Sequence, residues 1–179
     1  MDTQLIETAR AKLGTIPDDA RREMIAKSRW TCDSHWMMSM VMHAGWEVAN
    51  KINLQVAQAV GSVEMHRLMK ALGLQQPRNR DEFIMMVTLA METFVTKDYM
   101  DYWYETPEHS AGLGVVQQCY ANTKLRSIGA QKDYQCGCFG LRSGWYHAMG
   151  VEVREKLLKC LKDGDERCEI LVENVAFPS

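Results

Sequence analysis

The stretch Lys156-Leu157-Leu158-Lys159-Cys160-Leu161-Lys162-Asp163-Gly164-Asp165-Glu166-Arg167-Cys168-Glu169-Ile170-Leu171-Val172-Glu173 reads as a β-hairpin. Lys156 to Lys162 and Arg167 to Glu173 are its strands, with Asp163-Gly164-Asp165 as the turn. With Gly164 at the centre, Cys160 faces Cys168, Leu158 faces Ile170 and Lys156 faces Val172. Side chains alternate by two along a strand, so Leu158, Cys160, Cys168 and Ile170 share a largely apolar face. Lys159 and Glu169 carry opposite charges and pair on the solvated face. Directly opposed residues have Cβ atoms roughly 4.5–5.5 Å apart, which lets two thiolates reach one metal.

Upstream of the hairpin the periodicity is mixed. Asp98 to Glu105, with Tyr99, Tyr102, Trp103 and Tyr104, suits a strand. Thr106-Pro107-Glu108 follows as a turn, and Val115 to Cys119 suggests another strand. Residues about 121–128 and 139–149 read as helices. The first half reads as helix from Pro17 onward. Pro17-Asp18-Asp19 marks a helix start, with acids at the positive end of the dipole. Met24, Ile25, Trp30, Met37, Met38 and Val41 give a broad apolar face from about Ala20 to Val41. Gly45 interrupts this helix, a second runs from about Trp46 to Leu72, and Gly73 caps it. Gln75 to Asn79 is a loop, and Asp81 caps a third helix reaching about Val95. Helices followed by a mainly antiparallel sheet indicate an α+β fold, with N-terminal helices packed on a sheet that ends in the Cys-bearing hairpin. The 179 residues are expected to form one domain, its helical half about 1–97 and its Cys-rich half about 98–179. No internal repeat or low-complexity segment is present.

Composition narrows the function classes. A net charge of −2 and a pI near 6.2 give no electrostatic basis for binding nucleic acid or an anionic membrane, so neither partner is expected. No apolar run approaches the roughly 20 residues of a spanning helix. Met1-Asp2-Thr3-Gln4 lacks a basic segment and an apolar segment, so no secretory signal and a cytoplasmic location are expected. In a reducing compartment, clustered cysteines favour metal or redox chemistry over structural disulfides. The thirteen methionines suit core filling by a flexible side chain, or an adaptable apolar pocket.

Five of the six cysteines, Cys119, Cys136, Cys138, Cys160 and Cys168, fall in the last third of the chain. Thiolates are soft donors for zinc or for an iron–sulfur cluster. The plainer account is that they are small buried hydrophobes, and a redox disulfide between Cys160 and Cys168 is a third. No Cys-x-x-Cys knuckle is present. Cys32 reads as a packing residue. Trp30, Asp33 and Trp36 line one helical face, where Asp33 is either a structural anchor or a carboxylate of raised pKa. Asp33 and His35 are the candidates for proton transfer. His43, His66, His109 and His147 form no ligand pair. Trp36, Trp103, Trp145 and Tyr146 are candidates to line a small-molecule pocket, with core packing as the default. Phosphate-loop, dinucleotide, nucleophile-elbow and zinc-protease motifs are absent, and Gly112-Leu113-Gly114 is too short for phosphate binding.

Trp30-x-x-Asp33-x-x-Trp36, Gly45-x-Glu47-x-Ala49 and Glu64-x-x-Arg67-Leu68-x-Lys70-x-Leu72-Gly73-Leu74 together resemble an uncharacterised family of small prokaryotic proteins. Cys119, Lys124, Arg126, Gly129, Cys136 and Gly140 are similar to the positions that continue it. The ending Cys160 to Ile170 resembles the close of 4-vinyl reductase domains and of L-2-amino-thiazoline-4-carboxylate hydrolase-like proteins. The resemblance covers about residues 28–175. It implies a domain that binds small hydrophobic molecules beside a zinc held by Cys and Glu, which would fall on Cys136, Glu152, Cys160 and Cys168. Cys119 and Cys138 compete for the same positions, and four thiolates would suit an iron–sulfur cluster.

These readings converge on a cytosolic metal-binding protein with a pocket for a small apolar or aromatic ligand. The alternatives are a small-molecule hydrolase, an iron–sulfur redox protein, or a module whose long helices pair in a homodimer.

Overall fold

A computed structural model describes residues 3–95 and 99–178. Its elements are α1 (Thr3–Leu13), α2 (Asp18–Leu72), α3 (Arg80–Phe94), β1 (Met100–Glu105), β2 (Gly112–Cys119), α4 (Tyr120–Ser127), α5 (Cys138–Met149), β3 (Glu152–Lys159) and β4 (Cys168–Ala176). A short 3-10 turn, Leu161–Asp163, joins β3 to β4. The fold is α+β, as expected from the sequence. The strands form one antiparallel sheet in the order β1-β2-β4-β3. Asp98, the expected first residue of β1, lies outside the described residues.

The chain divides into two compact units, one up to Met38 and one from Ser39 onward. In the first, α1 was not expected; its eleven residues bury no side chain, so no apolar stripe announced it. The start of α2 is marked by Asp18 and Asp19, with Asp18 paired to Arg21 at 3.6 Å. Glu23 and Lys27, one turn apart, make a second surface pair at 3.6 Å.

In the second unit α2 breaks at Gly45, whose φ of 78° and ψ of 169° only glycine adopts without strain. The helix ends at Gly73, φ 64°, where the Leu74 N–H reaches back to the Met69 carbonyl at 2.9 Å. The cap of α3 is Asn79 rather than Asp81. Asn79 Oδ1 accepts from the Glu82 N–H at 3.0 Å, and the Glu82 carboxylate accepts from the Arg78 N–H at 2.9 Å. Asn79 and Glu82 stand three apart, the spacing of a capping box, and Asp81 lies inside the first turn.

The core gathers one face each of α2, α3 and α5 over the sheet. Met65, Leu68, Phe83, Met86, Val87, Ala90, Trp145, Tyr146 and Met149 pack together, with Tyr104, Val153, Val172 and Val175 against them. Trp145 is fully buried, and its indole N–H donates to the buried Glu64 at 3.1 Å. Small residues let α5 touch α2 backbone to backbone. A Cβ on Gly144 would lie 2.1 Å from the Gln58 carbonyl oxygen, one on Gly140 would lie 2.6 Å from that of Leu54, and one on Gly61 would lie 2.1 Å from that of Leu141. Gly140 and Gly144 are four apart and so share one face of α5. Among the described residues no helix is long and apolar enough to cross a membrane.

The hairpin departs from the simple register. Lys159 pairs with Glu169 as expected, but a shift between Leu157 and Lys159 places Leu157 opposite Ile170 and Lys156 opposite Leu171. Leu158 is consequently exposed and does not share a face with the cysteines. Cys160 lies outside the ladder. Its N–H donates to Asp165 Oδ2 at 2.7 Å, and its carbonyl accepts from the Asp163 N–H at 2.9 Å, which winds the connection into the 3-10 turn. Side-chain capture by Asp165 therefore replaces the tight Asp-Gly-Asp turn. Lys159 meets Glu169 at 2.9 Å and Arg167 meets it at 2.6 Å, although Glu169 is buried rather than solvated.

Gly144→Ala is expected to cost about 1–3 kcal/mol through overpacking. At about 2–4 °C per kcal/mol for a chain of this size, differential scanning calorimetry should register the lower Tm. An unchanged Tm would show that α2 and α5 are free to separate.

Candidate functional site

The five clustered cysteines come from four separate segments, and the fold collects them at one end of the sheet. Val116 of β2 pairs with Cys168, so Cys119, three residues further on, stands beyond β4 at the end occupied by the hairpin connection. Cys119 is the residue before α4, Cys160 precedes the 3-10 turn, and Cys136-Gly137-Cys138 leads into α5. The charges of Cys138 and Cys160 act on Cys119, those of Cys160 and Cys138 act on Cys168, and Cys119 acts on Cys136. Tyr99 feels Cys119, Cys136 and Cys138 together. The sixth cysteine, Cys32, is exposed in the N-terminal unit.

Main-chain N–H groups point at several of these sulfurs. Leu161 N–H donates to Cys168 Sγ at 3.3 Å, and Cys119 accepts from the N–H groups of Asn122 and Ala121. Cys136 accepts from the Cys138 N–H. Cysteines at the start of helical turns receive such donors because the first N–H groups of a helix have no intrahelical partner. Burial raises the thiols of Cys119 and Cys168, and these donors oppose it.

The closest pair is Cys136 and Cys138, with sulfurs 3.0 Å apart. Either sulfur could be the donor of a hydrogen bond to the other. The hydrogen bond to its neighbour pushes the Cys136 thiol up, burial adding to it, and the same bond pulls Cys138 down, aided by the charge and hydrogen bond of Arg142. Arg142 lies four residues after Cys138, one turn along α5. It is fixed by a two-pronged ion pair to Glu155 of β3, at 3.0 and 3.1 Å, and Tyr146 donates to the same carboxylate at 3.3 Å. The loop ahead of the pair is strapped to α2. Asn50, which is buried, donates to the Asp133 carbonyl at 2.7 Å and accepts from the Gln135 N–H at 2.9 Å. Gly137 N–H donates to the Tyr134 hydroxyl at 3.2 Å.

The remaining sequence candidates do not join this group. Glu152 opens β3 at the end remote from Cys160, and a strand of eight residues at about 3.3 Å each separates them. Trp145 is a core group, and Tyr146 packs on Phe83 with ring centroids 5.6 Å apart. Trp103 donates to Glu105 at 3.0 Å and lies under Arg167 at 6.0 Å. Trp36, Asp33 and His35 are exposed on the N-terminal unit. Crowding by protein raises the Asp33 carboxyl, and Arg29 one turn back opposes it. Among the described residues no three Cys, His, Asp or Glu side chains stand in position to hold a metal ion as they are oriented. Arg142, Asn50 and Glu155 were missed in the sequence; the only signal was the four-residue interval from Cys138 to Arg142.

No protein-family model matches the chain, and no curated protein matches it.

In reduced, metal-free protein, ultraviolet thiolate absorbance should show one thiol ionising below the ordinary cysteine value of about 8.5. Arg142→Met removes the positive charge that favours the Cys138 thiolate, so that step should move to higher pH. An identical titration in both proteins would contradict the assignment.

Proposed function

We propose that this protein binds a soft metal centre, zinc or an iron–sulfur cluster, through thiols drawn from Cys119, Cys136, Cys138, Cys160 and Cys168. The observation that supports it is the gathering of five thiols from four segments, three of them receiving main-chain N–H donors. Such donors stabilise thiolate over thiol, and thiolate is the form that ligates. Hydrogen bonds to sulfur also tune metal–thiolate centres. Arg142 would offset part of the negative charge that four thiolates place around a divalent ion.

The thiols are of the type such a centre takes, but among the described residues no three potential ligands are placed to hold an ion, so the side chains would have to turn. Four sulfurs at about 2.3 Å from zinc lie about 3.8 Å from one another in a tetrahedron. Cys136 and Cys138 are closer than this, so loading would part them by rotation about χ1, a staggered torsion with three wells. Glu152 is not among the proposed ligands. The likeness of Cys160 to Ile170 to 4-vinyl reductase domains supports a neighbouring site for a small apolar or aromatic molecule. That part of the reading rests on the resemblance.

Anaerobic purification followed by metal analysis and a visible spectrum tests the proposal. A colourless protein with zinc, or a brown one with iron and sulfide, is expected, with at least three of the six thiols withheld from titration until the metal is removed. Less than about half an equivalent of zinc or iron, with every thiol freely titratable, would sink it.

A further inference from the structure

We propose that Cys136 and Cys138 form a redox-active dithiol that a small hydroperoxide closes into a disulfide. The inference concerns two of the thiols in the metal reading but does not rest on it, because the geometry belongs to the metal-free chain.

The span between the Cα atoms of two residues separated by one is set by the backbone angles of the residue between them. Gly137 has φ −64° and ψ −17°, which is helical. A helical residue at that point gives a span of about 5.4 Å, from a radius of about 2.3 Å and a rise of about 1.5 Å per residue. Disulfides form between Cα atoms about 4.4–6.8 Å apart, so the Cα span of the pair lies within the range of a disulfide. The sulfurs already stand 3.0 Å apart, and the S–S bond needs them at about 2.0 Å. The loop cannot drift away, since Asn50 holds residues 133 and 135 and Tyr134 holds Gly137.

The chemistry has its parts in place. Cys138, as the thiolate and 3.0 Å from the Cys136 sulfur, attacks the hydrogen-bearing oxygen of the hydroperoxide. The S–O bond forms, the O–O bond breaks, and hydroxide or alkoxide leaves with the electron pair. The sulfur is oxidised to a sulfenic acid and the peroxide is reduced. Cys136 sulfur then attacks Cys138 sulfur, the S–S bond forms, the S–O bond breaks, and the departing oxygen takes the Cys136 proton as water. Both residues are only partly buried, and the proposal requires that a molecule the size of hydrogen peroxide reach the Cys138 sulfur. Cys160 is the more buried member of the Cys160/Cys168 pair.

Tryptic digestion reads the outcome directly. Lys132 and Arg142 bound a peptide, Asp133 to Arg142, that contains both cysteines and no other. Chelator-treated, fully reduced protein is given one equivalent of hydrogen peroxide, then alkylated and digested. The Asp133–Arg142 peptide is expected mostly unalkylated and two hydrogens lighter than its dithiol, while the Cys119, Cys160 and Cys168 peptides are alkylated. A reductant should restore double alkylation. In Cys136→Ser, Cys138 should instead be trapped as sulfenic acid by dimedone. Double alkylation of this peptide with loss of the Cys160 and Cys168 thiols would overturn the proposal, as would oxidation of this pair only beyond the disulfide. The first measurement uses the unaltered chain, so a misfolded variant leaves it decisive. Metal analysis of the untreated protein reports on the other reading separately.

Discussion

The close contact of α2 with α5 is the constraint on which the remaining geometry depends. Gly61, Gly140 and Gly144 let main chain meet main chain, so α5 has almost no freedom to slide along α2. That contact places Trp145 in the core, where its indole finds Glu64, and it sets the height of the first turn of α5. From that turn Arg142 reaches Glu155 on β3, tying helix to sheet with a charged pair that is mostly hidden from solvent. Breaking one partner of such a pair leaves an uncompensated charge, which is costlier than losing an exposed pair. The dithiol therefore sits on the most tightly determined corner of the fold.

Electrostatics at this corner are a balance between burial and donated protons. Burial drives Cys119 and Cys168 toward the neutral thiol, and nearby thiolates would push further in the same direction. Helix-start N–H groups and one guanidinium work against that. The hydrogen bond between Cys136 and Cys138, with Arg142 nearby, favours the thiolate of Cys138 over that of Cys136. Five thiolates together would repel one another severely in a partly dry site. Either a cation or oxidation of a pair removes that strain, and the two outcomes compete for the same sulfurs.

The α+β class and the helices after Pro17 were legible because they depend on local signals, whereas α1 and the order of the strands in the sheet were not anticipated. Gly45 and Gly73 announce themselves as breaks, and the β-branched and apolar runs Val115-Val116 and Ile170-Leu171-Val172 mark strands. Asn79 was passed over for Asp81 because both suit a cap, and only the interval to Glu82 separates them. The hairpin shows where local reading stops. Lys159 and Glu169 pair as expected, but the shift at Leu158 depends on Asp165 capturing the Cys160 N–H, a side-chain competition that periodicity does not encode. The cysteines were legible as a group, and their grouping came from count and crowding rather than from the register assigned to Cys160 and Cys168. Arg142 was passed over because the four-residue interval to Cys138 was its one signal, and its other partner, Glu155, is brought to it by a strand whose placement against α5 no spacing predicts.

Gly137 is helical in conformation, so its backbone angles do not call for glycine. Its restriction is one of volume: a Cβ there would meet Asn53 Nδ2 at 3.1 Å. The identity of the residue between the two cysteines is thus set from α2, far away in sequence. A side chain at position 137 would oblige the Asn53 amide to give by a few tenths of an ångström, so its long hydrogen bond to the Gln135 carbonyl would be strained first. The turn between the two cysteines is thus felt on α2 through one amide group.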